Sequence, residues 1–175
     1  MSVLAKDRSL SKLEFYMNAR RIQLQILHLI SRNFGIKPKA REPDFYIRKM
    51  EENDREIMAE LFSRYDITRI VEDYPDWMIE MFRKRVTDHL QSMLDNITHA
   101  YTIWATNLAE ADDRRLAQDR AISACEMLKQ DIELVADVLP VKADKLLRYI
   151  DALNREIALL KGWRKSDNKR RKTLK

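Results

Sequence analysis

Histidine, cysteine and carboxylate side chains could bind a metal or catalyse a reaction, but their spacing in this sequence favours neither. None of His28, His89 and His99 belongs to a His-Glu-x-x-His pattern, and none has a glutamate three residues before it, as a di-iron helical bundle requires. Asp95 and His99 are spaced to share a helix face, and we interpret them as surface polar residues. Cys125 falls on an apolar stripe and is interpreted as a small buried residue.

Other catalytic signatures are also missing from the sequence. It has neither a glycine-rich phosphate loop nor a Gly-x-Ser-x-Gly elbow. Asp112 and Asp113 would complement the positive end of a helix dipole, while Glu126, Asp131 and Glu133 resemble a solvated helix face. We therefore expect no enzyme activity, no metal and no cofactor.

Positive charge is concentrated at both ends of the chain. The net charge is +5 overall, with +7 over residues 1–41, −8 over residues 42–163 and +6 over residues 164–175. We interpret residues 164–175 as a basic tail that is too polar to pack and that binds a polyanion. Trp163, just before it, either anchors this tail or simply packs against the core. An acidic protein partner or simple solubility is the alternative explanation for this charge.

The first helix and the loop after it form a second basic region, with Tyr16 nearby for base stacking. The alternative is that these long side chains only cover apolar surface. The candidate nucleic-acid-binding residues of the two regions are Arg20, Arg21, Lys37, Lys39, Arg41, Arg164, Lys165, Lys169, Arg170, Arg171 and Lys172.

The composition predicts an all-α protein. Only 2 glycines and 4 prolines occur in 175 residues, too few for the turns of an all-β fold, and the 45% of hydrophobic residues can form a core. Helical periodicity predicts long helices over residues 11–34, 75–106, 109–139 and 143–160 or beyond, and it leaves open whether the fourth helix continues through Gly162 as a helical tail. Short connections favour an antiparallel up-down four-helix bundle in one domain, residues 1–163, with a helical insertion after the first helix and a basic C-terminal tail.

Terminal signals support these helix limits. The signals are Ser11 with Glu14 and then Gly35 for the first helix, Asn107 with Glu110 and then Pro140 for the third, and Gly162 for the end of the fourth.

Two adjacent apolar stripes run along the first helix. An arc this wide predicts two neighbours, either within a bundle or in an oligomer. One stripe contains Phe15, Ile22, Ile26 and Leu29, the other contains Met17, Leu24 and Leu27, and Trp104 and Leu116 are assigned to the core stripes of the second and third helices.

Residues 44–74 are predicted to be a lateral helical insertion. A charged helix over residues 44–65 is followed by a weaker helical fragment over residues 67–74, and a basic loop with two prolines precedes them. The N-terminal residues lack the apolar segment of a signal peptide, and no uncharged run approaches the ~18 residues of a membrane span. We therefore expect a cytoplasmic protein with no membrane partner.

Several short motifs resemble a known family of four-helix-bundle proteins. They are Leu13-Glu14-Phe15-Tyr16-x-x-Ala19-Arg20, the stretch from Asn96-Ile97 to Asn107, Glu110-x-x-x-Arg114-Arg115, Leu139-Pro140-Val141 and Leu160-Lys161-Gly162-Trp163-Arg164. They resemble the accessory variability determinants of diversity-generating retroelements, which are related to proteins encoded in intervening sequences of bacterial large ribosomal RNA. The resemblance covers residues 9–36 and 76–169 and excludes residues 44–74.

The resemblance implies a non-catalytic function. Proteins of that family form basic, barrel-like homopentamers that bind a reverse transcriptase and its structured template RNA and support cDNA synthesis in mutagenic retrohoming. The insertion could add a contact to the polymerase or RNA, or block a subunit face. The alternative is a structural or protein-interaction bundle without nucleic-acid binding. The family's basic surface would map onto Arg20, Arg21, Arg164, Lys165, Lys169, Arg170, Arg171 and Lys172.

Overall fold

A computed structural model describes residues 10, 13–36, 39–72 and 74–174. The predicted helical class is confirmed, because six α-helices account for most of the described residues and only one pair of three-residue strands accompanies them. The chain divides into two compact units, Met1–Ile36 with Glu80–Lys175, and Lys37–Ile79. The elements are α1 (Glu14–Ser31), a 3₁₀ turn (Asn33–Gly35), β1 (Lys39–Arg41), α2 (Pro43–Ile47), α3 (Glu52–Arg64), β2 (Ile70–Glu72), α4 (Asp76–Thr102), α5 (Leu108–Val138) and α6 (Ala143–Arg171).

Helix α1 is shorter than predicted at both ends. It begins at Glu14, and the predicted cap at Ser11 lies outside the described residues. It ends at Ser31, and the chain then turns through left-handed conformations that finish at Gly35, with φ +82°. Gly35 has the predicted left-handed conformation, but the helix ends four residues before it, because Asn33 and Phe34 are already left-handed. The turn buries Phe34, whose ring meets that of Phe82 edge to face at 6.3 Å.

Only one of the two apolar stripes of α1 is buried in this chain. The stripe that contains Phe15, Ile22, Ile26 and Leu29 is buried, as an amphipathic helix requires. The second stripe faces solvent: Met17 is 53% exposed, Leu24 56% and Leu27 43%.

The unit Lys37–Ile79 differs from the predicted helical insertion. The single helix predicted over residues 44–65 is divided into α2 and α3, because extended backbone at Glu51 starts a new helix whose first turn is acidic. The fragment predicted as helical over residues 67–74 contains strand β2 instead, paired antiparallel with β1. Adjacent β-branched residues at Ile70 and Val71 favour the extended conformation.

The turn between α4 and α5 confirms one predicted cap and corrects one core assignment. Asn107 Oδ1 accepts a hydrogen bond from the Glu110 backbone N–H at 3.0 Å, as predicted. The Glu110 carboxylate accepts bonds from the backbone N–H and hydroxyl of Thr106, both at 2.7 Å, and these bonds lower the pKa of Glu110. Because α4 ends at Thr102, Trp104 is 54% exposed, and its assignment to the core was wrong.

Helices α5 and α6 carry much of the core. Ala117 is buried while its neighbour Leu116 is 48% exposed, so the core assignment of Leu116 was wrong by one position. Cys125 is buried as expected, and burial raises the pKa of its thiol. Helix α5 ends at Val138, immediately before Leu139 and Pro140, as predicted. The inward residues of α6 include Leu146, Tyr149, Leu153, Ile157 and Leu160.

Candidate nucleic-acid interface

Helix α6 continues past Gly162 to Arg171, so the prediction that it frays or ends at Gly162 was wrong. The helix is continuous through position 162. An added Cβ at that position would meet nothing within 4 Å. Just beyond it, the Trp163 indole stacks on the Phe15 ring, with centroids 4.3 Å apart and planes 9° apart. Trp163 therefore anchors the basic end of α6 to α1.

Ion pairs attach the basic end of α6 to α5, contrary to the expectation that it is too polar to pack. Arg171 pairs with Asp112 at 2.7 Å, and Asp167 accepts from Arg114 Nε at 2.7 Å. The residue numbers of the partners increase along α5 as they decrease along α6, as antiparallel packing requires. Asp167 also accepts from the Gln118 side chain at 2.6 Å, and Arg164 pairs with Asp119.

The two arginines of these pairs have their charges balanced within the chain. Arg171 lowers the pKa of Asp112 through a hydrogen bond and its charge, and Asp112 raises the pKa of Arg171. Arg164 forms an ion pair with Asp119. Arg170 instead has its guanidinium 5.0 Å from the Trp104 ring centroid, a cation–π contact.

Three exposed lysines on the same segment are not balanced in this way. Lys165, Lys169 and Lys172 are exposed, and no ion pair joins any of them to the residues that the structure describes. Their spacing of four and three residues places them on one face of α6, about 6 and 5 Å apart along its axis. We call these three residues the lysine stripe.

Arg20 and Arg21 lie on a different part of the same unit. Both are exposed on α1, and Arg20 donates to the Gln23 side chain. Asn18 of α1 lies beside Glu156 of α6, to which it donates a hydrogen bond at 2.8 Å. Glu156 precedes Lys165 by nine residues, about 14 Å along the helix. The structure therefore does not join the two arginines and the lysine stripe into one cluster.

The remaining candidates belong to the unit Lys37–Ile79. Lys39 lies in β1, and Lys37 is outside the described residues. The Arg41 guanidinium lies 3.7 Å from the Phe45 ring centroid and shares a crevice with it.

Two buried carboxylates were missed or misinterpreted from the sequence. Asp131, expected on a solvated face, is 1% exposed and accepts hydrogen bonds from Arg85 and His89 of α4. Glu156 is 0% exposed and bonds to Asn18. The helical spacing could have predicted the burial of Asp131, because Asp131 follows the core residue Leu128 by three positions and therefore lies on the same face of α5.

No three histidine, cysteine or carboxylate side chains within the described ranges are grouped so that they could hold a metal ion. None of the described helices combines the length and apolar character needed to cross a bilayer. Comparison with protein-family models, with curated proteins and with solved structures found no match.

Proposed function

We propose that this chain is a non-catalytic accessory protein that binds structured RNA or DNA and acts with a reverse transcriptase, as the resemblance to accessory variability determinants implies. Helices α1, α4, α5 and α6 would form an antiparallel four-helix bundle, with the unit Lys37–Ile79 inserted after the first helix. The protein would act in the cytoplasm as a homo-oligomer, a pentamer if it follows that family.

The lysine stripe is the observation that supports nucleic-acid binding. Trp163 and the ion pairs of Arg164 and Arg171 fix the end of α6, so the three lysines project from a rigid helix. A rigid array of cations loses less conformational entropy on binding phosphates than a flexible tail would. An oligomer would repeat the stripe in each subunit and strengthen binding by avidity.

The test is the salt dependence of binding to a structured RNA hairpin and to duplex DNA. Affinity should fall steeply with salt, and replacing all three lysines of the stripe by glutamine should reduce the slope of log Kobs against log salt by about 2.7, which is about 0.9 for each lost phosphate contact. A matched control removes three exposed lysines elsewhere in the same unit. The control substitutions are Lys84→Gln, Lys142→Gln and Lys145→Gln.

Either of two results would contradict the assignment of the stripe. One is that the wild-type chain binds neither nucleic acid at about 150 mM salt, and the other is that the two triple variants lower the slope equally. The polymerase partner is tested separately, by purifying the tagged full chain from its native host. Recovery of a reverse transcriptase with one abundant structured RNA is expected, and recovery of the chain alone would argue against the retroelement role.

The exposed stripe of α1 favours a second candidate, a protein-interaction module without nucleic-acid binding. Met17, Leu24 and Leu27 offer adjacent apolar side chains on one helix face. Under this alternative the chain would assemble or bind a protein partner, yet show no salt-dependent affinity for RNA. The binding experiment above and a molar mass from light scattering separate the two.

A further inference from the structure

An open groove between α4 and α5 is distinct from the lysine stripe. It has a volume of about 190 Å³ and combines hydrogen-bond donors with the apolar side chains of Ala124 and Met127. No carboxylate lines it among the residues that the structure describes. Its lining includes His89, Ser92 and Asn96 from α4, and Arg120, Ser123 and Met127 from α5.

The buried carboxylate of Asp131 orients the His89 ring in this groove. Its Nδ1 lies 2.5 Å from Oδ2 of the buried Asp131. Arg85 donates to the other oxygen of Asp131 through Nε at 3.1 Å and Nη2 at 2.7 Å. Because Arg85 balances the charge of Asp131, the carboxylate accepts the Nδ1 proton of His89, and Nε2 remains for another partner.

A serine hydroxyl in the groove is oriented in a similar way. Asn96 donates through Nδ2 to the Ser92 carbonyl at 2.7 Å and to the Ser92 hydroxyl oxygen at 3.3 Å. The Ser92 hydroxyl donates no hydrogen bond to any of the described residues, so its proton is available to an acceptor in the groove.

Arg120 supplies the positive charge at the groove. It is exposed, and no ion pair links it to a carboxylate in the described part of the chain. Its guanidinium carries five N–H donors and no acceptor. Together with the hydroxyls of Ser92 and Ser123, it forms a set of donors that suits an acceptor with several oxygens.

We propose that this groove binds a phosphate group, either free or as part of a nucleic-acid backbone. The Arg120 guanidinium would form bidentate hydrogen bonds to the phosphate oxygens, and the serine hydroxyls would donate to the same oxygens. His89 would donate a further hydrogen bond through Nε2 when that nitrogen carries a proton. The groove is open to solvent, and its volume of about 190 Å³ is several times the ~30 Å³ share of one water molecule, so the five heavy atoms of a phosphate fit.

The test titrates the full chain with inorganic phosphate at constant ionic strength, replacing chloride, and follows the NMR signals of the His89 ring and Arg120 Nε. A saturable shift with a Kd of about 1 mM is expected. Arg120→Gln should weaken binding about tenfold or more. Arg115→Gln is the matched control, since it removes the same charge from α5 at an exposed position outside the groove and should leave binding unchanged.

Two results would overturn the phosphate site. One is the absence of a saturable shift up to about 50 mM phosphate, which would show that the groove does not prefer phosphate to chloride. The other is equal weakening by Arg120→Gln and Arg115→Gln, which would indicate a general loss of positive charge.

Titrations with a nucleoside 5′-monophosphate and with single-stranded oligouridylate identify the source of the phosphate. If Arg120→Gln also weakens oligouridylate binding, the groove takes a backbone phosphate; if it weakens only the small ligands, it takes a free phosphate. The variant lacking the lysine stripe should still bind inorganic phosphate, because none of the three lysines lines the groove. Failure of the groove and failure of the proposed nucleic-acid function are therefore distinguishable.

Discussion

Glu156 is the residue whose charge state has the greatest consequence for stability. It is 0% exposed between α1 and α6, where Oε2 accepts from Asn18 at 2.8 Å. Its second oxygen, Oε1, has no partner among the described residues. One amide donor cannot replace a full hydration shell, so burial raises the pKa of Glu156 to about 7, although Asn18 and the charge of Arg155 oppose the shift.

This shift predicts a pH-dependent penalty that Glu156→Gln removes. The folded pKa lies above the ordinary value of 4.5, so the contribution of Glu156 to stability is fully present below pH 4.5 and is lost as pH rises through 7. The loss should approach about 3 kcal/mol. Glutamine keeps an oxygen for Asn18 without the charge. The variant should therefore gain about 2 to 3 kcal/mol on the wild type between pH 5 and pH 8, measured by urea unfolding.

Glu133→Gln is the control for that measurement. Glu133 is an exposed carboxylate on α5, so its replacement should change the free energy of unfolding by less than about 0.5 kcal/mol at either pH. If Glu156→Gln shows the same free-energy difference from wild type at pH 5 and pH 8, the pKa of Glu156 is not raised in the folded protein.

Among the elements, α6 departs most from its sequence-based prediction. Glycine at position 162 predicted a helix end, yet the helix continues for nine more residues, to Arg171. Glycine in an exposed helix interior costs about 1 kcal/mol relative to alanine. Because nothing lies within 4 Å of an added Cβ, Gly162→Ala should raise the free energy of unfolding by about 0.5 to 1 kcal/mol, measured by urea unfolding.

Gly35→Ala provides the opposite case under the same conditions. Its φ of +82° suits glycine, and a Cβ is strained there even though space is open around it. This variant should lose about 1 kcal/mol. A loss of stability in Gly162→Ala as well would mean that α6 ends near residue 162 in solution.

Features that depend on a few neighbouring residues were predicted correctly from the sequence. Features that depend on contacts between distant parts of the chain were not. Asn107 capped α5 as predicted, because its hydrogen bond to Glu110 needs only three residues of local chain. The continuation of α6 was missed because Arg171 gains its partner, Asp112, from another helix, 59 positions away. The burial of Asp131 was missed for the same reason, since Arg85 lies 46 positions away.

At the scale of the whole molecule, burial is divided unequally between the two compact units. The buried hydrophobic residues belong almost entirely to the unit Met1–Ile36 with Glu80–Lys175; Ile79 is the single exception among the described residues. Neither α2 nor α3 has a buried residue, and Ile57 of α3 is 59% exposed. A helix as short as α3, with 13 residues, is marginal in water unless packing supports it.

Amide hydrogen exchange of the intact chain should therefore separate the two units. Backbone amides of α3 should exchange at least about a hundredfold faster than those in the centre of α5, because α3 can open locally without disrupting the core. Exchange of α1 is the control: it too is short, but its buried stripe should give it protection close to that of α5. Equal protection of α3 and α5 would contradict this prediction, because it would mean that α3 is covered in solution. Added RNA or a polymerase that slowed exchange only in α3 would then identify the inserted unit as the element that meets that partner.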